Sequence, residues 1–234
     1  KAAASHTGAM AARHELWSAI MRQYGCIEAE NFEHMVDLVM MAVARTIPEG
    51  PRLGFLGAGG GTSVLFTDFA STENLTLPEL ERDTQEKISQ KISNVNTSTT
   101  NPVDLGFYGF DFTIMAHTID AMAHDDNVDV IIPYFSLDFI TSFQSDQIES
   151  GPHAIEAVAA KIDKPIIPIL SRFTENVIEV EQVRIRLTSI FRKAGLAVYG
   201  TPQDAIKAIS GVLDWKMRFS SEADPSAGRK VSGM

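Results

Sequence analysis

The feature that most limits what this chain can fold into is a change of rhythm at Pro48-Glu49-Gly50-Pro51. This Pro/Gly cluster breaks the helical pattern before it and reads as a linker. Beyond it, short apolar runs alternate with longer amphipathic stretches. Strands are predicted at Arg52 to Leu56, weakly at Leu75-Thr76-Leu77, and at Val128 to Phe135, Pro165 to Leu170 and Leu196 to Tyr199. Helices are predicted from the glycine-rich turn after Leu56 to Ser71, then over Pro78 to Ile92, Asp111 to His124, Pro152 to Lys161, Glu175 to Ala194 and Pro202 to Met217. Strands separated by whole helices are joined by crossovers, which implies a parallel sheet covered on both faces.

The expected fold for residues 51–219 is therefore α/β, a doubly wound parallel sheet of flavodoxin-like type. Residues 1–50 are a separate piece. Ala9 to Tyr24 has helical spacing, with Gly25 as its stop. Cys26 to Ala29 reads as a short strand, with Cys26 a small apolar residue within it. Asn31 then caps a helix over Phe32 to Thr46, with Phe32, Met35, Val36, Val39 and Val43 along one side. Residues 220–234, rich in Ser, Asp, Pro, Gly and charge, read as a disordered tail. The chain starts at Lys1 with no element before Ser5-His6-Thr7-Gly8, which suggests a start partway through a longer polypeptide.

Composition removes several function classes. The formal net charge of −10 argues against nucleic acid as a partner. No apolar run reaches the roughly 18 residues of a membrane span, so no membrane role is expected. A single cysteine, Cys26, cannot form an intrachain disulfide and fits a reducing, cytoplasmic setting. The six histidines show no close ligand pairing with carboxylates, so no metal site is expected.

Two segments can carry chemistry. The first is Gly57-Ala58-Gly59-Gly60-Gly61-Thr62-Ser63, between a strand and a helix. Glycines let the backbone approach a phosphate, and a helix N-terminus points N–H groups at it. Thr62 stands where a dinucleotide fingerprint needs its third glycine, and no Gly-Lys-Ser/Thr follows. The loop alone is equally a tight strand-to-helix turn. The second segment is Ser5-His6-Thr7-Gly8, just before a helix. His6 there is a nucleophile candidate, and Ser5 or Thr7 is an N-cap candidate; both roles can coexist. Asp104 reads as structural, Asp125-Asp126 as a solvated turn, and Tyr134, Phe135, Phe139 and Phe143 as packing residues or the lining of a pocket.

The segment Ala3 to Ala11, containing His6, resembles the phosphohistidine segment of the NDP-forming acyl-CoA synthetases, relatives of succinyl-CoA synthetase. Further similar stretches follow in order: Gly57 to Gly61, Leu77-Pro78-Glu79-Leu80, Thr84 to Lys87, Asn101 to Leu105, Lys164 to Ile167 and Gly200 to Ala205. The resemblance implies that residues 1–50 are the C-terminal part of one flavodoxin-like ligase domain and residues 51–219 the whole of a second. It implies an acid–thiol ligase working through an acyl phosphate. His6 would carry the phosphoryl group, and Gly57, Gly59, Gly60, Gly61, Thr62 and Ser63 would bind phosphate. CoA and ATP/ADP with Mg would bind mainly outside this chain. The implied partners are an upstream Rossmann CoA-binding domain, an ATP-grasp domain or subunit, and a small carboxylic acid. The fragment alone would be inactive. The alternative is a non-catalytic flavodoxin-like module that binds an anion or a partner protein.

Overall fold

The computed structural model describes residues 14–222. Four parallel strands form the sheet: β1 (Leu53–Gly57), β2 (Val103–Asp104), β3 (Val130–Ser136) and β4 (Ile169–Ser171), in the order β2-β1-β3-β4. Nine helices accompany them among the described residues: α1 (His14–Gln23), α2 (Phe32–Ala42), α3 (Gly60–Thr72), α4 (Arg82–Ser89), α5 (Phe112–Ala123), α6 (Leu137–Phe143), α7 (Pro152–Ala159), α8 (Ile178–Lys193) and α9 (Pro202–Glu222). Short 3-10 turns lie at Gly106–Phe110 and Ser145–Gln147. The expected α/β, flavodoxin-like architecture is present.

The strands are buried on both faces, so they lack alternation with polar residues. Leu56, Ile131 and Phe135 pack under α5, α7 and α8. Leu53, Phe55, Val130, Ile132 and Tyr134 pack under α3 and α9. Burying a large apolar side chain contributes about 1.5–3 kcal/mol, and both layers are built from such residues.

Two expected strands shrink to single bridges. Thr76 bridges Arg52, and Tyr199 bridges Ile169. The space between Thr76 and β2 along the β1 edge is filled by a side chain. Asn101 Oδ1 accepts from Phe55 N at 3.0 Å, while its Nδ2 donates to Leu53 O at 2.7 Å and Pro78 O at 2.9 Å. The Asn101 amide thus substitutes for a missing strand residue.

At the N-terminal side, Gly25 at φ 72° ends α1, with Cys26 N donating to Met21 O at 2.9 Å. Asn31 caps α2 by accepting from His34 N at 2.8 Å. Other expectations here need correction. Cys26 to Ala29 forms no strand, and Cys26 is exposed. The helix from Phe32 ends at Ala42, and its apolar stripe Phe32, Met35, Val36, Val39 and Val43 is exposed; Leu38 and Met41, on the other side, are buried. Arg45 leaves the helical path to donate to Ala159 O and Ile162 O. At the other end, α9 runs through Glu222, past Ser220, where a tail was expected to start.

Asp125 is also corrected. It is fully buried rather than solvated, and accepts from Glu81 N at 2.8 Å and Asn127 N at 2.9 Å. A turn whose amides must be satisfied away from water needs a buried acceptor. Asp126 beside it is exposed.

Candidate functional site

β1 delivers the chain to Gly57 at the carboxyl end of the sheet, and Gly59 turns it into α3. Gly59 sits at φ 98°, a conformation that disfavours side chains. α3 then opens with Gly60, Gly61 and Thr62, whose N–H groups have no partner within the helix. Such a terminus carries partial positive charge. Each glycine has a different reason. A Cβ at Gly57 would lie 3.1 Å from Tyr134 Cβ, so that glycine serves strand packing. A Cβ at Gly60 would lie 3.5 Å from Asp104 Oδ2, and one at Gly61 would meet nothing within 4 Å. Nothing within the described residues requires Gly61 to lack a side chain.

Asp104, at the end of β2, organises the loop. Its Oδ1 accepts from Gly59 N at 2.9 Å and from Gly106 N at 2.9 Å. Sequence reasoning read it as structural, which matches these bonds, but did not place it at the loop. The signal was available: an acid at the end of a strand beside a glycine turn. Thr62 lines the opening, whereas Ser63 is buried, with its Oγ 3.5 Å from Gly59 O. Of the six loop residues expected to bind phosphate, Gly59, Gly61 and Thr62 line the opening directly.

This opening is a cleft of about 500 Å³ lined by residues that follow all four strands. Ala58 to Thr62 follow β1, Gly106, Phe107 and Phe110 follow β2, Ser136 and Phe139 end or follow β3, and Phe173 follows β4. Ligands of open α/β sheets sit at the carboxyl ends of the strands where the order reverses, here between β1 and β3. Tyr134 and Phe135, grouped in the sequence with Phe139 and Phe143, are core residues. Phe139 and Phe143 are exposed beside the cleft with Phe107 and Phe173, which sequence reasoning missed because they lie far apart in the chain.

His6 lies outside the described residues. Four other histidines do not converge: His34 Nδ1 accepts from Glu30 N at 3.2 Å, His117 Nε2 meets Lys87 O at 3.0 Å, His124 Nδ1 meets Asp120 O at 2.8 Å, and His153 Nδ1 pairs with Glu156 at 2.7 Å. Among the described residues no three His, Cys, Asp or Glu side chains group to hold a metal. No described helix is long and apolar enough to cross a membrane.

The class so defined is a flavodoxin-like α/β domain with a glycine-lined cleft at the carboxyl ends of its strands. Comparison with known proteins makes it particular. Residues 1–42 match the model of the succinyl-CoA ligase like flavodoxin domain. The chain is 25% identical over 210 residues to the alpha subunit of acetate–CoA ligase (ADP-forming) II of Pyrococcus furiosus, covering 89% of this chain and 43% of that protein. It is 25% identical over 224 residues to a trans-feruloyl-CoA synthase of an unknown prokaryote, covering 93% and 30%. The solved dinucleotide-forming acetyl-coenzyme A synthetase 1 of Ca. Korarchaeum cryptofilum, in complex with phosphate and ADP, superposes with a TM-score of 0.73 at 23% identity, covering 97% of this chain and 46% of that one. The chain is similar over most of its length to ADP-forming acyl-CoA ligases, the family its sequence resembles. It spans less than half the length of the curated relatives it matches.

Proposed function

We propose that this chain is part of an acid–thiol ligase that interconverts acyl-CoA, NDP and phosphate with acid, CoA and NTP. The observation that carries the proposal is the α3 terminus. It faces an open cleft, its amides have no partner in the helix, and Gly61 is bare without a packing reason among the described residues. A bare, amide-rich surface suits close approach of a phosphoryl group brought from elsewhere.

His6 is the carrier in this reading. A ring nitrogen attacks the terminal phosphorus of NTP, NDP leaves, and the phosphoryl group stays on the imidazole. A carboxylate oxygen of the acid then takes the phosphoryl group, which releases the ring. The CoA thiol, on losing its proton, attacks the acyl carbon, and inorganic phosphate departs. The amides of Gly60, Gly61 and Thr62 hold the phosphoryl oxygens near His6, and Asp104 holds the turn that aims them. Residues 1–50 belong to one ligase domain and 51–219 to a second. NTP, Mg and CoA bind on an ATP-grasp domain or subunit and on a Rossmann domain. Supply of CoA and nucleotide places the enzyme in the cytoplasm. The names of the relatives include acetate and feruloyl ligases, which suggests a carboxylic acid substrate without fixing its size.

The test uses the full polypeptide with its ATP-grasp partner, ATP, Mg, CoA and a panel of acids. Acyl-CoA, ADP and phosphate formed in equal amounts are expected. Phosphate binding without any acid-dependent acyl-CoA would favour the anion-binding module instead.

A further inference from the structure

Helix α8 is apolar on two sides. Val180, Val183, Leu187 and Phe191 face inward and are buried in the core. On the opposite side Ile178 and Ile185 are 68% and 61% exposed. They stand two helical turns apart, so they share one outward stripe with Gln182, Ser189 and Arg192, all exposed. An open groove of about 490 Å³ runs past Ile185, Ser189, Arg192 and Lys193. A lone exposed isoleucine is ordinary. What singles out this stripe is the order of charge along it.

α8 carries Glu179 and Glu181 in its first turn and Arg192 and Lys193 in its last. That order also suits the helix dipole. The charges nearer the middle are spent inside the chain: Glu181 pairs with Arg172 and Arg184, and Arg186 with Glu149. Glu179, Arg192 and Lys193 have no ion-pair partner among the described residues, and Arg192 reaches the Met40 sulfur instead. The outer face is thus acidic at one end, apolar at Ile185 and basic at the other end.

We propose that α8 is an interface with a second copy of this chain, packed antiparallel against the same helix of that copy across a two-fold axis near Ile185. The proposal is independent of the ligase reading. A two-fold sets Ile185 on Ile185, and lays the aliphatic stem of Arg192 from one copy over Ile178 of the other. Glu179 and Lys193 lie on the same flank of the stripe, on opposite sides of Ile185 along the helix. At 1.5 Å per residue they are about 9 Å and about 12 Å from it, so each Glu179 meets the Lys193 of the other copy. An acidic partner would satisfy Arg192 and Lys193 but oppose Glu179, and a basic partner would do the reverse. A surface with the same order reversed satisfies both ends, and the chain itself carries one. Two copies of net charge −10 repel at long range, so association leans on these local pairs. One pair of 16-residue helices is a small interface, below about 1,200 Å², so association should depend on concentration.

The test uses the complete polypeptide. Sedimentation velocity over a concentration series is expected to show a reversible passage from one copy to two. Ile185→Glu puts two carboxylates on the axis and is expected to abolish it, with an unchanged circular dichroism spectrum because the position is exposed. Glu179→Lys and Lys193→Glu are each expected to weaken association about tenfold, since each contact occurs twice, and together to restore it to within about threefold. A second readout locates the contact where other parts of the polypeptide also associate. Ser189→p-benzoylphenylalanine, irradiated, is expected to give a product of twice the chain mass on a denaturing gel, linked near Gln182 of the other copy. A single copy at every concentration, a double reversal that fails to restore association, or a link to any segment other than α8 of a second copy would overturn the proposal.

Discussion

Replacing Asn101 with alanine should destabilise the domain far more than its partly buried position suggests. Three hydrogen bonds disappear: one from Phe55 N and two to the carbonyls of Leu53 and Pro78. Each is worth a net of about 1 kcal/mol, giving roughly 3 kcal/mol. Phe55 and Leu53 are almost wholly buried, so water cannot easily replace the lost partner at those groups. An orphaned buried group costs about 1–3 kcal/mol, which moves the expected total to about 3–5 kcal/mol. In a domain of this size each kcal/mol lowers Tm by about 2–4 °C, so a drop of roughly 6–20 °C is expected by circular dichroism. Asn101→Asp sharpens the reasoning. The aspartate can still accept from Phe55 N, but it donates nothing and sets a carboxylate against two carbonyl oxygens. At neutral pH it should be at least as destabilising as alanine. A change below about 0.5 kcal/mol in Asn101→Ala, within the range of ordinary surface substitutions, would refute the idea that this side chain completes the sheet edge.

Other outcomes follow from the same geometry. Gly59→Ala should cost about 1–3 kcal/mol in urea unfolding because of its φ of 98°, whereas Gly61→Ala should leave stability unchanged or slightly raised yet reduce ligase turnover. Asp104→Ala should lower turnover by loosening the Gly59 turn, with Asp104→Asn retaining more activity, since its carbonyl oxygen can still accept from both amides. Burial, with the charges of Asp204 and Glu33, raises the Asp37 carboxyl above its ordinary value despite His34. The ionised form therefore weakens folding at pH 7, and this penalty fades as pH falls through the raised value toward the ordinary one. Asp37→Asn should stabilise at pH 7 and do nothing near pH 3. Asp129 is the reverse case. Burial pushes its carboxyl up, but the hydrogen bonds and charge of Arg52 outweigh that and leave it lowered. Its contribution is present above the unfolded carboxylate value and is lost as pH falls through the lowered one. Arg52→Gln should therefore destabilise at pH 7, and the difference should close in strong acid.

The parallel sheet was legible because β1 and β3 are continuous apolar runs split by amphipathic helices. The edge elements were less so. Thr76 and Tyr199 each make one bridge, and the Asn101 side chain replaces backbone pairing between Thr76 and β2. No periodicity rule anticipates an amide acting as a strand. In α2 the apolar stripe was visible, but not which side would be buried, because Leu38 and Met41 pack on α9, more than 150 residues later in the chain. The glycine loop was found as a motif, and its partner Asp104 was read only as a structural residue. The aromatic wall was half seen: Phe139 and Phe143 are close in sequence, whereas Phe107 and Phe173 join them only through the strand order.

The most direct trial of the account is to expose the complete enzyme to γ-32P-ATP and Mg, then digest it and locate the radioactivity. The account requires phosphate on the peptide containing His6, stable in alkali, released by mild acid, discharged by substrate acid with CoA, and absent from His6→Ala. Acyl-CoA formation at a normal rate by His6→Ala, or radioactivity on any other residue, would contradict it.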